Sequence, residues 1–260
     1  MEEARKVMYK RLKVLHKAYT NFRNNPFNPD YAHEIRTNSR KLRSMFNFLK
    51  NSMDEADYDH VNNSLKDFAS IYGPVREIDV LNDWCTVVAT KEPELSNEYK
   101  ELFNHFTKER RREMNRTFNK TNTLTSTTAI DDATKAIEQL SFKKPKKLDK
   151  DIKKQLQKKE EKLLENFEHL DLEDYEGVHE LRKEAKKLRY PAEDLGKLSS
   201  VTHKKIASKA EDIQDDLGQL TDAEVNIRLL NNYAEKTDNE SLKQLFLDLA
   251  DIQKQELPSK

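Results

Sequence analysis

The sequence predicts an all-α fold made of two similar up-and-down helical bundles, and three observations predict it. Only 4 of the 260 residues are glycine and 7 are proline, too little punctuation for the turns of a many-stranded sheet. Apolar residues recur at helical spacing, whereas a chain with 36% charged and 35% hydrophobic residues would be a candidate for disorder if they were scattered. A basic motif that starts at His33 returns at His179, with similar segments around it, so the chain reads as an internal duplication.

In the first half, Met8, Leu12, Leu15, Tyr19 and Phe22 share one helical face, and the stretch from Asn24 to Asp30, with Pro26 and Pro29, ends that helix. Asp30 is the expected N-cap of a second helix that buries Ile35, Leu42, Phe46 and Leu49 and runs to about Asn51. A third helix, Glu55 to Tyr72, is expected to stop at Gly73-Pro74. Two further segments, Val75 to Ala89 and Leu95 to Asn119, separated at Lys91-Glu92-Pro93, complete a bundle over residues 1–120. Thr121 to Thr128 is polar, β-branched and aperiodic, and Ser141 to Lys147 sets Pro145 among lysines. Residues 121–146 are therefore expected to form a linker with room for a short helix from Asp131 to Leu140. The second bundle, 147–260, opens with a helix from Lys147 to Leu170, the counterpart of Met1 to Asn24, and continues through segments near Val178, Val201, Leu220 and Asn239.

With 47 basic and 47 acidic side chains the formal net charge is zero, so affinity for a polyanion has to come from local segregation of charge. The single Cys85 cannot close an intramolecular disulfide, no apolar run approaches the roughly 20 residues that span a bilayer, and the first residues lack the apolar centre of a secretory signal. A reducing, cytoplasmic setting without a membrane anchor is the expectation.

The duplication is sharpest where His33-Glu34-Ile35-Arg36 continues to Arg40-Lys41-Leu42-Arg43, and His179-Glu180-Leu181-Arg182 continues to Lys186-Lys187-Leu188-Arg189, 146 positions later. On a helical wheel with the His at 0°, the next basic positions fall at about 300°, 340° and 280°. His33, Arg36, Arg40 and Arg43 thus form one stripe roughly 15 Å long, and His179, Arg182, Lys186 and Arg189 form another. Ile35 with Leu42, and Leu181 with Leu188, lie on the opposite, buried side. Guanidinium groups bind phosphate bidentately and lysines add mobile point charge, so such a stripe suits a chain of closely spaced anionic oxygens. Lys10, Lys13 and Lys17 in the first helix, and Lys150 and Lys154 in its counterpart, are further candidates as walls of one groove.

These stripes resemble the two signature helices of the CHAD (conserved histidine α-helical domain) family. Tyr72-Gly73-Pro74-Val75-Arg76-Glu77-Ile78-Asp79-Val80 is similar to the element that follows the first signature, and Leu217-Gly218-Gln219-Leu220-Thr221-Asp222 to the element that follows the second. The sequence departs from the family pattern at Glu77 and at Pro191, which interrupts the second signature helix. The resemblance implies two pseudo-symmetric bundles facing a central basic cavity, inorganic polyphosphate as ligand, no catalysis, and association with polyphosphate granules.

Other readings compete with these. Arg76 and Asp79 are expected to pair and fix the helix start after Gly73, and Asp222 is expected to be structural in the same way. Each motif offers one His without a His, Cys or Asp at ligand spacing on its face, so neither a metal site nor a cofactor is expected. No Gly-rich phosphate loop or nucleophile with a base is present to support an enzyme. General polyanion or RNA binding is the alternative function, but base stacking wants interleaved aromatics and the stripes offer only Tyr190.

Overall fold

The computed structural model describes residues 2–91, 96–140, 148–199 and 202–257. Ten α-helices and no strand occur among them: α1 (Glu2–Asn24), α2 (Pro29–Phe48), α3 (Glu55–Ile71), α4 (Gly73–Lys91), α5 (Ser96–Thr117), α6 (Lys120–Gln139), α7 (Leu148–Glu168), α8 (Tyr175–Asp194), α9 (His203–Lys236) and α10 (Glu240–Gln255). The all-α expectation is met. The expected break at Glu92 and Pro93, the segment Ser141 to Lys147 and Val201 lie outside the described residues.

Local chemistry sets most boundaries, and several differ from those expected. The N-cap of α2 is Asn28, whose side chain accepts from the Asp30 backbone N–H, with Pro29 in the first turn. Proline is favoured there because its missing N–H has no intrahelical partner to lose. α3 ends at Ile71, close to the expected stop before Gly73-Pro74, but these two residues are already the first of α4, and only Tyr72 separates the two helices. From His203 to Lys236 the chain is one helix, α9, of 34 residues, where a separate segment was expected near Leu220. α8 continues through the buried Pro191 to Asp194.

Residues Thr121 to Thr128 are helical, within α6, where a linker was expected. Asn119 caps α6 by accepting from the Asn122 N–H. The hydroxyls of Ser126, Thr127 and Thr134 donate to carbonyls in the preceding turn, which removes the competition these side chains usually offer to a helix. α6 buries Ser126, Ala129, Ala133, Ala136 and Ile137 against α3 and α1, a stripe at helical spacing made almost wholly of small residues.

Two apolar cores result. One joins α1, α2, α3 and α6 to α7, α8 and the first half of α9, with Phe22, Phe46, Phe68 and Tyr72 fully buried. The other joins α4, α5, the second half of α9 and α10 around Phe106, Tyr233 and Phe246. Each core draws on both halves of the sequence. At about 1.5 Å per residue α9 is roughly 50 Å long, enough to serve both.

Candidate anion-binding cavity

The packing of α2 against α8 positions the cavity. α2 buries Ala32, Ile35, Leu42, Met45 and Phe46, and α8 buries Val178, Leu181, Ala185 and Leu188. The two basic stripes are thereby turned away from the first core. All of their residues but Arg189 line a cavity of about 750 Å³ that is completed by α3, α4 and α9. Nine Lys or Arg side chains line it, with two histidines and only two carboxylates, Glu77 and Asp222.

Two glycines let the arginines lie close to neighbouring helices. A Cβ on Gly73 would stand 2.6 Å from Arg36 Nη1, and one on Gly218 would stand 3.4 Å from Arg182 Nη2. Arg36 therefore crosses the start of α4, and Arg182 crosses the middle of α9. Glycine is needed in these helices for close approach and not for backbone conformation, since no residue has a positive φ among those described.

Most cations here are poorly compensated. Arg182 meets Asp222 at 3.2 Å, but its Nε is buried without a partner, as is His179 Nδ1. Arg43 Nε donates to the neutral Asn62 Oδ1 at 3.1 Å. Arg36, Arg40, Lys66, Arg76, Lys186 and Lys187 have no carboxylate within 4.0 Å among the described residues. Burial, with the fields of Arg40 and Arg182, pulls the Lys186 amine down to about 7. Burial and Arg76 lower His33, while burial and Lys183 lower His179. Arg36 and Arg43 are lowered chiefly by burial. A low-dielectric site crowded with like charge disfavours the protonated form of these five groups.

Seven sequence-predicted residues meet in this cavity: His33, Arg36, Arg40, Arg43, His179, Arg182 and Lys186. Arg189 does not line it, being held by Glu193 and Glu211. Lys10, Lys13, Lys17, Lys150 and Lys154 are exposed on α1 and α7 and do not line it either. The expected Arg76–Asp79 pair is not formed. Asp79 takes Arg110 Nε of α5 at 2.6 Å, and Arg76 lines the cavity. Asp222 does pair, with Arg182, yet it also lines the cavity.

Lys66, Asn62 and Tyr58 on α3 carry no motif, and only tertiary packing brings them to the cavity. Lys183 and Lys187 were open to sequence reasoning, because they lie about 40° and 80° round the wheel from His179. The stripe was drawn on one side of the histidine only.

A family model for the CHAD domain matches residues 7–231. The chain belongs to the CHAD family. This CHAD chain is similar in structure to the crystal structure of the CHAD domain from the plant Ricinus communis, with a TM-score of 0.75 and 18% identity over 100% of this chain and 88% of that one. It is also similar to PptA from Streptomyces chartreusis, with a TM-score of 0.72 and 10% identity over 98% and 94% of the two chains. No curated protein sequence matches at a significant level. At these identities the likeness is one of fold. Among the described residues no helix is long and apolar enough to cross a membrane.

Proposed function

We propose that this CHAD chain binds inorganic polyphosphate in the cavity between α2 and α8 and does not chemically transform it. The observation that carries the reading is a 750 Å³ cavity with nine Lys or Arg side chains against two carboxylates. Leaving the half-buried Arg36, Arg40, Arg76 and Lys186 without carboxylates costs folding free energy, and a polyanion would offset that cost while accepting hydrogen bonds from several guanidiniums at once. Membership of the CHAD family points the same way. His33, Arg36, Arg40, Arg43, His179, Arg182 and Lys186 are the proposed ligand contacts, with Arg76 and Lys187 added by the geometry.

Nucleic acid is the alternative. A cavity of this size has no room for a duplex whose major groove alone is about 12 Å wide, and single strands are held on aromatic platforms. Tyr190 is unsuited to stacking, since it is buried with Lys41 and Arg189 over its ring, and Tyr58, whose hydroxyl accepts from Asn47, adds a single ring to the lining and not a platform for successive bases. An unadorned phosphate chain fits better.

The internal duplication belongs to the same reading. α2 and α8 both place their histidine at the fifth position, both run for 20 residues, and both are followed by a short 3₁₀ turn, Lys50–Ser52 and Gly196–Leu198. All these boundaries keep the offset of 146. Association with polyphosphate granules in the cytoplasm is part of the same proposal and rests on the family resemblance alone.

Calorimetric titration with long-chain polyphosphate, orthophosphate and a single-stranded oligonucleotide at several salt concentrations tests the proposal. The expected result is a preference for polyphosphate and a loss of at least about 100-fold in Arg36→Glu/Arg40→Glu and Arg182→Glu/Lys186→Glu variants, because hydrogen bonds to charged groups contribute roughly 1.5–3 kcal/mol each. Circular dichroism checks that the variants fold. Equal binding of the oligonucleotide, or indifference of folded variants, would replace polyphosphate with a general polyanion or with no ligand.

A further inference from the structure

The cavity lining matches between α2 and α8 at three positions and differs farther along each helix. His33 and His179, Arg36 and Arg182, and Arg40 and Lys186 all line it. Farther along α2, Arg43 and Asn47 continue the lining together with Lys66 of α3. Farther along α8, Arg189 is withdrawn: its Nε donates to Glu193 at 2.7 Å and its Nη2 to Glu211 at 2.5 Å. Glu193 also accepts from Lys41 Nζ at 2.8 Å.

Two residues make the difference. Glu193 stands four positions after Arg189, where Asn47 stands four after Arg43. Glu211 stands seven positions before Gly218, where Lys66 stands seven before Gly73. At one end Arg43 donates to the amide of Asn62 while Asn47 and Lys66 line the cavity beside it, and at the other Arg189 meets two carboxylates. A guanidinium whose donors are taken by carboxylates has few left for phosphate, and the carboxylates repel a phosphate chain. Positive charge continues past the open end. Lys187 lines the cavity there, and the half-buried Lys159 of α7 lies in the fields of Lys187 and of Lys50, just beyond α2.

We infer that Glu193 and Glu211 stop the cationic track at the α8 end, so that a linear polyanion held in the cavity leaves it in one direction only, past the C-terminus of α2. The inference rests on the polyphosphate reading and adds a direction to it. Glu193 and Glu211 act by occupying Arg189 and are specificity-determining residues that touch no ligand themselves.

Reciprocal exchange of the two pairs tests it in the full chain. Glu193→Asn/Glu211→Lys opens the shut end, and Asn47→Glu/Lys66→Glu shuts the open one. Affinities for long-chain polyphosphate and for tripolyphosphate are measured across a salt series. The opening exchange is expected to tighten long-chain binding about tenfold at low salt and to steepen its salt dependence, since each added phosphate contact releases counterions. The closing exchange is expected to weaken long-chain binding by a similar factor and to flatten that dependence. Tripolyphosphate, too short to reach past the matched residues, is expected to stay within about twofold in both. Lys159→Glu should weaken long chains alone, whereas Lys13→Glu, 146 positions earlier, should change neither. A wild type that binds neither phosphate overturns the ligand and the inference together. A wild type that binds both, with exchange variants that leave long-chain affinity unchanged or shift the two ligands equally, overturns the inference alone.

Discussion

Two groups of cations flank the α2–α8 pair, and they are treated in opposite ways. In one, Arg11 makes a bidentate bridge to Asp194 at 2.7 and 2.9 Å and donates to Asn38, while Lys41 and Arg189 share Glu193 above Tyr190. In the other, Arg36, Arg40 and Lys186 crowd the cavity with no carboxylate within 4.0 Å among the described residues. Lys41 and Arg189 of the paired group lie on the same two helices, α2 and α8, as the bare group. The difference teaches that basic density in a sequence does not identify a binding site; what identifies it is the set of cations that the fold leaves uncompensated. The paired group fastens the first half of the chain to the second, and the bare group is held ready for an external anion.

Substitutions in the two groups should therefore change stability with opposite signs. Asp194→Ala leaves the half-buried Arg11 without its bidentate partner and is expected to cost about 2 kcal/mol, read as a lower denaturation midpoint with polyphosphate affinity unchanged. Lys186→Met removes a buried charge that has no partner. It is expected to stabilise the free chain by about 1 kcal/mol and to weaken polyphosphate binding about tenfold, checked by thermal melts and calorimetry on one preparation. Destabilisation by both substitutions would erase the distinction.

A pH series sharpens the comparison. Lys186 sits at about 7 in the fold against about 10.4 in an unfolded chain. Below about 7 both states carry the proton and the full cost of the buried charge is present. Between these values the unfolded chain binds the extra proton, so this residue makes the free protein more stable as pH rises. An anion reverses the shift, so binding is accompanied by proton uptake and weakens as pH rises through 7 and beyond. Calorimetry at pH 8 in buffers of different ionisation enthalpy should show uptake approaching about one proton from Lys186. Glu193 goes the other way. Burial alone would raise it, but its bonds to Lys41 and Arg189 hold it below the ordinary carboxylate range, so its contribution to stability is present above that range and is lost as pH falls through its lowered value.

The smallest effects concern the glycines. Gly73→Ala puts a methyl 2.6 Å from Arg36 Nη1 and is expected to weaken binding severalfold by moving a flexible side-chain end. Gly218→Ala, with 3.4 Å to Arg182 Nη2, should weaken it less. Stability should not fall in either, because alanine within a helix is favoured over glycine by roughly 0.5–1 kcal/mol. Equal losses would mean that the two arginines are not placed by these close approaches.

Much of this was legible in the residues. The buried face of α2 follows from the spacing of Ile35, Leu42 and Phe46, and the coincidence of two His-Glu-aliphatic-Arg stripes singled out seven of the cavity's side chains. α6 was not legible as a full helix because its buried stripe is Ser126, Ala129, Ala133 and Ala136, which a pattern of large apolar residues does not reveal. The end of α3 before Gly73 was legible, but the start of α4 was not, because Gly73 and Pro74 read equally well as the end of one helix and the start of the next. Arg189 was assigned by wheel angle, which is blind to Glu211 on another helix. The cavity roles of Lys66 and Arg76 depend on which helix lies opposite, and that is decided by tertiary packing.

The central claim is that the ligand sits among the uncompensated cations. Nitrogen-resolved NMR of the histidine rings during a polyphosphate titration tests it most directly, with His60, paired to Asp132, and the exposed His169 as internal controls. The account predicts that His33 and His179, both held below the ordinary imidazole range in the free chain, gain protons and shift on binding while the controls stay still. Tight binding that leaves His33 and His179 unmoved would place the anion elsewhere and contradict it.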